Sequence, residues 1–305
     1  MSHLGAISQN SRSAIYALID AAFRSLFRQL PLSSATQKLA LKWGYKYRPE
    51  PGLVKLRSGP LIQTTQVDHL QLLLYYFGTF EPECLAAMHR IVKPGDTVLD
   101  VGANVGLFTL EASLLVGAAG RVIAIEPMPE HASAVLNSAR YNGMTNVEVI
   151  SVAAGDRIGQ AILTLPRNTN YGMFTLGDVA GDVSFTVPVR RIDDIVAERE
   201  VKSVDFIKMD IEGSELNALI GAEQTLRNFH PTILIELDEA HLAACKTSSR
   251  EVKSFLKSLG YREFLLDGTL PVLGQAQPVN ECLFVHKAED DSATTSPAAI
   301  AASVS

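Results

Sequence analysis

The sequence predicts a doubly wound α/β fold with a mostly parallel sheet, preceded by a helical extension. Three observations carry this. Short apolar runs at 97–101, 121–126, 146–152, 204–209 and 232–237 alternate with stretches of helical periodicity, the pattern of a parallel sheet covered on both faces. The first run empties into a glycine-bearing turn, Asp100-Val-Gly102-Ala-Asn104-Val-Gly106, and the second ends on an acid, Glu126. Two closing runs, 261–266 and 281–286, have no helical stretch between them, which predicts an antiparallel C-terminal strand pair.

Taken in order, residues 11–30 read as a helix, with Ile15, Leu18, Ile19, Ala22, Phe23, Leu26 and Leu30 at three- and four-residue steps and Pro31 as its stop. Shorter helices follow near 35–41, 68–76 and 82–92, with turn material around 49–59. Helices are expected after 107, over 129–141 (opened by Pro129), over 214–229 and over 249–259. Residues 160–190 break the alternation: 161–165 and 184–188 read as two strands joined by a Gly- and Asn-rich connection, a β excursion after the third strand. The Ala/Ser/Thr-rich tail from 288 lacks apolar periodicity and reads as disordered. The expected organisation is a basic helical extension (1–70), an α/β domain (71–287) and the tail (288–305).

Composition narrows the function classes. The chain has 305 residues, 47% hydrophobic, with a net charge of −6, which argues against nucleic acid as a partner. The charge is uneven: the first 48 residues hold seven Lys or Arg against one acid, Asp20. The basic first helix suits packing on its own domain or on a second copy of the chain in a homodimer, with peripheral contact to an anionic membrane as the alternative. Cys84, Cys245 and Cys282 are scattered and odd in number, the pattern of reduced thiols rather than a disulfide framework or zinc site. With no run of about 18 apolar residues and no secretory leader pattern, a cytoplasmic location is the default expectation.

The glycine turn and its acid predict a nucleoside-cofactor site. Gly102, Ala103 and Gly106 let backbone approach a ligand, and Asn104 tolerates positive φ. Asp100 is placed to accept from a cationic amino group. Glu126, 20 residues beyond Gly106 and followed by Pro127, is placed to accept both ribose hydroxyls. An acid two residues before the first glycine would repel a pyrophosphate, and Asn104 stands where a second close glycine would serve one. S-adenosylmethionine, which has an ammonium, a ribose and no phosphate, fits better than a nicotinamide cofactor, though an oxidoreductase stays as an alternative. Ala154 leaves room for adenine, and Asp156 is a candidate acceptor for its amino group.

A second constellation follows the fourth run: Phe206-Ile-Lys208-Met-Asp210-Ile-Glu212-Gly213-Ser-Glu215. In an extended strand Lys208, Asp210 and Glu212 point to one side. Clustered charge is costly unless paired or functional, so Asp210, Glu212, Lys208 and, from the next strand, Glu236 are the catalytic candidates, Asp210 first. Asp210, Glu236 and Asp238 are candidate ligands for a divalent metal, and His241 is an alternative general base. The acceptor is expected to meet Asn168, Asn170 and Tyr171 of the excursion together with the basic N-terminal segment.

These segments resemble the FkbM-type methyltransferases. The resemblance rests on Gly78-Thr-Phe-Glu81-Pro, on residues 93–106, on Gly120-Arg-Val-Ile-Ala-Ile-Glu126-Pro, on Ala153-Ala-Gly-Asp156, on Asp205-Phe-Ile-Lys-Met-Asp-Ile-Glu-Gly213-Ser-Glu-Leu and on Asn280-Glu-Cys-Leu-Phe284. It implies a seven-stranded methyltransferase sheet, O-methylation of a hydroxyl on a sugar, glycan or other natural-product scaffold, and a role for Glu81 in closing the cofactor site. A non-catalytic cofactor-binding scaffold in a glycan-assembly complex is the remaining alternative.

Overall fold

The computed structural model describes residues 9–166, 175–176, 181–270 and 280–287. Asn168, Asn170, Tyr171 and the 288–305 tail lie outside them. The chain divides into two compact units, Met1–Phe80 and Glu81–Ser305, ten residues beyond the expected boundary at 70.

The first unit contains α1 (Gln9–Phe27), α2 (Ser34–Tyr47), the hairpin β1 (Leu53–Lys55) with β2 (Leu61–Gln63), and α3 (His69–Phe77). Here α3 belongs with the extension because Leu72, Leu73, Tyr76 and Phe77 bury against Phe27 and Ala40. Phe23 stacks on Trp43 at 4.1 Å between ring centroids. Ser33 closes a capping box with Thr36 at the start of α2, and Asp68 caps α3 by accepting from Gln71 N. Asp20 is turned inward, where it accepts from the hydroxyls of Tyr76 (2.7 Å) and Tyr75.

The second unit runs α4 (Pro82–Ile91), β3 (Thr97–Val101), α5 (Leu107–Val116), β4 (Arg121–Ile125), α6 (Pro129–Tyr141), β5 (Val147–Ile150), β6 (Ala153–Ala154), β7 (Gly159–Pro166), β8 (Gly181–Arg190), α7 (Ile192–Glu198), β9 (Phe206–Met209), α8 (Glu215–Ile220), α9 (Glu223–Phe229), β10 (Thr232–Glu236), α10 (Glu239–Ala244), α11 (Ser249–Ser258), β11 (Tyr261–Phe264) and β12 (Glu281–His286). The main sheet has seven strands in the order β11-β12-β10-β9-β3-β4-β5. The five from β10 to β5 are parallel, and β12 is antiparallel to both its neighbours. The closing pair therefore inserts one strand, β12, inside the sheet and leaves only β11 at the edge. The excursion is a separate sheet, β6-β8-β7.

Alternation along each strand sorts the core. Leu99, Val101, Ile123, Ile125, Ile207, Met209, Ile233 and Ile235 meet α7, α8, α9 and α11 on one face. Val98, Val122, Phe206, Leu234 and Leu283 meet α4 and α5 on the other. Each such aliphatic side chain contributes about 1.5–3 kcal/mol on burial. Two residues on this second face interrupt it with charge near the carboxyl edge: Asp100 and Lys208, which are Cα partners across β3 and β9. The chain proceeds from β3 outward to β5 and returns to β9 on the other side of β3, so the topological switch point lies between β3 and β9. In open α/β sheets ligands bind at the carboxyl end of such a crevice.

The single helix expected over 214–229 is two. Gly221 separates α8 from α9 because the chain there presses on the excursion: a Cβ at Gly221 would stand 2.0 Å from the Gly155 carbonyl oxygen. The break leaves the first amides of α9 unpaired, and Asp193 of α7 takes them, its Oδ1 accepting from Thr225 N and Thr225 Oγ1 (both 2.8 Å) and its Oδ2 from Gln224 N (3.2 Å). Asp193→Ala should lower unfolding free energy in urea by about 2–4 kcal/mol, since it orphans several buried donors at once. A loss below about 1 kcal/mol would show that the α7–α9 contact does not depend on this cap.

Candidate active site

At the end of β3 the chain turns through Gly102 (φ 86°), Asn104 (φ 49°) and Gly106 (φ 98°) before entering α5. Gly102 N and Ala103 N both donate to Ile125 O, and Gly106 N donates to Ala103 O. Gly102 has no room for a side chain. A Cβ there would lie 1.8 Å from the carbonyl oxygen of Asp210, so the first glycine serves contact between β3 and β9 as much as any ligand. Asn104 closes its own turn, its Oδ1 accepting from Val105 N.

Glu126 follows β4 and is held on both oxygens by backbone: Asn104 N donates to Oε2 and Met128 N to Oε1, each at 2.8 Å. Pro127 carries the chain between those two contacts. Burial pushes the Glu126 carboxyl up to about 8 against the pull of the two amides. His131, 4.0 Å away, is pushed down to about 4 by burial and is neutral at pH 7. Asp100 is 2% exposed, accepts from Thr109 Oγ1, and is raised to about 6, again by burial.

The β9 side of the crevice gathers more charge. Lys208 is 1% exposed; its Nζ lies 3.6 Å from Asp210 Oδ2 and 5.0 Å over the Phe108 ring, with no hydrogen-bond partner among the described residues. Burial alone would lower its pKa, but Asp210, Glu81, Cys84 and Glu236 outweigh that and hold it above the ordinary lysine range. Glu236 is raised by the Asp210 carboxylate beside it and then by burial, so it keeps a proton at neutral pH. Glu81 precedes α4 in a left-handed conformation (φ 45°); burial raises it to about 7, while Lys208 pulls the other way.

The candidates from sequence therefore separate. Asp100, Gly102, Ala103, Asn104, Gly106, Glu126 and Pro127 form one connected turn. Lys208, Asp210, Glu236 and Glu81 form a charged cluster beside it, to which the structure adds Cys84 and Glu281. Their part was not read from sequence, although Glu281 lies within the Asn280-Glu-Cys motif.

Glu212 does not continue the alternation. The strand ends at Met209, and left-handed geometry at Glu212 (φ 53°) followed by Gly213 (φ 105°) swings its carboxylate toward His241, whose Nδ1 lies 2.6 Å from Oε2. The two groups meet as an ion pair rather than as an aligned hydrogen bond. Glu215 is structural: its Oε1 accepts from Ile211 N and Gly213 N. Ala154 and Asp156 follow on β6 and just after it, where β6 pairs with β8. They line a cavity of about 300 Å³ with Ser214, Asn217 and Cys245, and that lining includes neither the 102–106 turn nor Glu126.

The metal set inferred from sequence is not assembled. Asp238 spends Oδ1 on capping α10, accepting from Ala240 N and His241 N, and its Oδ2 accepts from Asn280 Nδ2. Among the described residues, the convergent ligand atoms belong to Glu81, Cys84 and Glu281, within 4.8 Å of one another. Burial keeps the Cys84 thiol protonated, and the Lys208 ammonium opposes a cation there, so no metal is assigned.

A parallel sheet with a glycine turn, a ribose-competent acid and a charged crevice at its switch point defines a nucleoside-binding α/β fold. A family model, the methyltransferase FkbM domain, matches residues 100–263, and the chain belongs to that family. It is 27% identical over 200 residues to the 31-O-demethyl-FK506 methyltransferase FkbM of Streptomyces tacrolimicus, covering 56% of this chain and 75% of that protein. It is 25% identical over 193 residues to the 2-O-methyltransferase NoeI of Sinorhizobium fredii, covering 56% and 76%. A crystal structure of methyltransferase FkbM from Methylobacillus flagellatus KT aligns at TM-score 0.42 and 20% identity, over 72% of this chain; the chain spans 53% of that structure.

The Glu212–His241 pair makes one direct expectation. Contact with Glu212 raises His241 to about 8, against the opposing pull of burial. A raised folded-state value stabilises below the ordinary histidine pKa of about 6.5 and loses that contribution as pH rises through about 8. Ring NMR of His241 should give a midpoint near 8 that falls toward 6.5 in Glu212→Gln; an unmoved midpoint would remove Glu212 as the cause.

Proposed function

We propose that the chain is an S-adenosylmethionine-dependent O-methyltransferase acting on a hydroxyl of a sugar, glycan or other natural-product scaffold. The observation that carries the donor assignment is the pair of buried acids at the 102–106 turn, Asp100 accepting from Thr109 and Glu126 from Asn104 N, with Glu81 in the cluster beside it. Asp100, Glu126 and Glu81 are all raised by burial, a cost that a cationic ligand relieves and a phosphate would increase. A sulfonium donor with an ammonium group matches this donor set. Glu126, with one backbone bond to each oxygen, keeps lone pairs for a ribose diol. Family membership sets aside the oxidoreductase alternative.

When bound, S-adenosylmethionine supplies an activated methyl group, so the protein's task is alignment and proton removal. In this reading Asp100 and Glu81 receive the cationic end of the donor, and Asp210 accepts the acceptor's hydroxyl proton. Glu236 is raised by the Asp210 carboxylate beside it, and the Lys208 ammonium, 3.6 Å from Asp210, offsets the carboxylate charge of the trio. Oxygen as the methylated atom is supported by the names of two relatives, each of which specifies an O-methyl position.

Asp210→Asn should reduce turnover by about 100-fold or more with S-adenosylhomocysteine affinity within about threefold by calorimetry; near-normal turnover would refute the base assignment. Glu126→Ala should instead weaken S-adenosylhomocysteine by about tenfold or more, since it removes a buried bidentate acceptor. Transfer of a labelled methyl group to fractionated hydroxylated acceptors, with the product bond located by mass spectrometry, identifies the acceptor. Labelled N- or C-methyl products would overturn the O-methyl reading.

A further inference from the structure

The charge division of the chain follows its two units. Residues 1–80 contain nine Lys or Arg and three acids, a net of +6, whereas residues 81–305 contain eighteen against thirty, a net of −12. Two of the three acids in the first unit are turned inward: Asp20 onto the Tyr75 and Tyr76 hydroxyls, and Asp68 into the α3 cap, where it is 1% exposed. The outer face of α2 is left cationic by Lys38, Lys42 and Lys46, while on α1 Arg24 lies over the Tyr75 ring and Arg28 is half-buried. Arg28 records the crowding: burial lowers its pKa, and Arg24 and Arg57 lower it further.

The same two helices expose large apolar side chains. On α1, Leu18, Ile19 and Leu26 are exposed, whereas Phe27 is buried. On α2, Ala40 and Gly44 face inward and Lys38, Leu39, Lys42 and Lys46 face outward together. Leu18 is 72% exposed, Leu26 52% and Leu39 53%. Three lysines beside Leu39 on α2, with exposed leucines on α1, suit the boundary between lipid headgroups and acyl chains, where stems and leucines sink and ammonium groups meet lipid phosphate. A nucleic-acid surface would have no use for the leucines.

We propose that the outer faces of α1 and α2 form a peripheral docking surface for an anionic lipid bilayer. Weak apolar insertion and electrostatic attraction are both needed, because neither alone gives stable attachment. This proposal does not depend on the methyl-transfer reading.

The test is sedimentation of the full chain with vesicles of phosphatidylcholine alone or mixed with phosphatidylglycerol. Binding should require phosphatidylglycerol and weaken with added salt. The Lys38→Glu/Lys42→Glu/Lys46→Glu variant should lose on the order of a hundredfold in partitioning. The Leu18→Ser/Leu26→Ser/Leu39→Ser variant should lose about tenfold or more. Thermal unfolding and S-adenosylhomocysteine binding of both variants check that the fold is intact. Should either variant fail to fold, Lys42→Gln and Leu39→Ser singly give the same comparison at smaller amplitude. Equal sedimentation with both vesicle types, or none with either, overturns the proposal. So does a leucine variant that binds phosphatidylglycerol like the parent, and tighter binding to a soluble polyanion such as heparin would assign the surface to polymers instead.

Discussion

The second unit is organised around one buried ammonium. Lys208 sits in the sheet face that packs on α4 and α5, and without it Asp210, Glu81, Glu236 and Asp100 would crowd negative charge into an apolar wall. Burying a single charge is unfavourable; burying several of one sign is prohibitive unless protons or a counter-charge intervene. Both devices are present. Lys208 offsets part of the charge, and Glu236 keeps a proton because Asp210 lies beside it. The arrangement stands at the β3–β9 switch point, where the sheet opens to a ligand, so the electrostatics of folding and of binding are the same problem.

Much of this was legible in the sequence because it depends on period and punctuation. The five parallel strands announce themselves as short apolar runs, and the 102–106 turn announces itself by glycines and Asn104, all three of whose φ values are positive. What was not legible depends on where the chain goes after an element ends. Glu212 keeps step with Lys208 and Asp210 in sequence, yet left-handed backbone at 212 and 213 turns it to His241. Ala154 and Asp156 follow the third strand, and the cavity they line with Ser214, Asn217 and Cys245 depends on pairing of β6 with β8 that the sequence does not announce. The α8–α9 break has a visible glycine, but the reason for it, the Gly155 carbonyl, is remote in sequence. Cys84 and Glu281 reach the charged cluster from either end of the unit, a convergence that only the sheet order brings about.

The first unit follows a different logic. Its core is small and aromatic, built from Phe23, Phe27, Trp43, Tyr76 and Phe77, with edge and stacked contacts in place of a broad aliphatic layer. A small core leaves much apolar surface uncovered, and six of the thirteen exposed large apolar side chains among the described residues fall in this unit. The inward turn of Asp20 sharpens the contrast: its hydrogen bonds stabilise the α1–α3 contact and use up the one acid that α1 and α2 carry.

The contact between Gly102 and the Asp210 carbonyl has a consequence for how this protein can change over generations. The turn that would cradle the donor and the loop that would serve the acceptor touch backbone to backbone, with no side chain between them to absorb a shift. Any residue larger than glycine at 102 would demand a displaced main chain at 210. Drift in one loop is therefore heritable only alongside accommodation in the other.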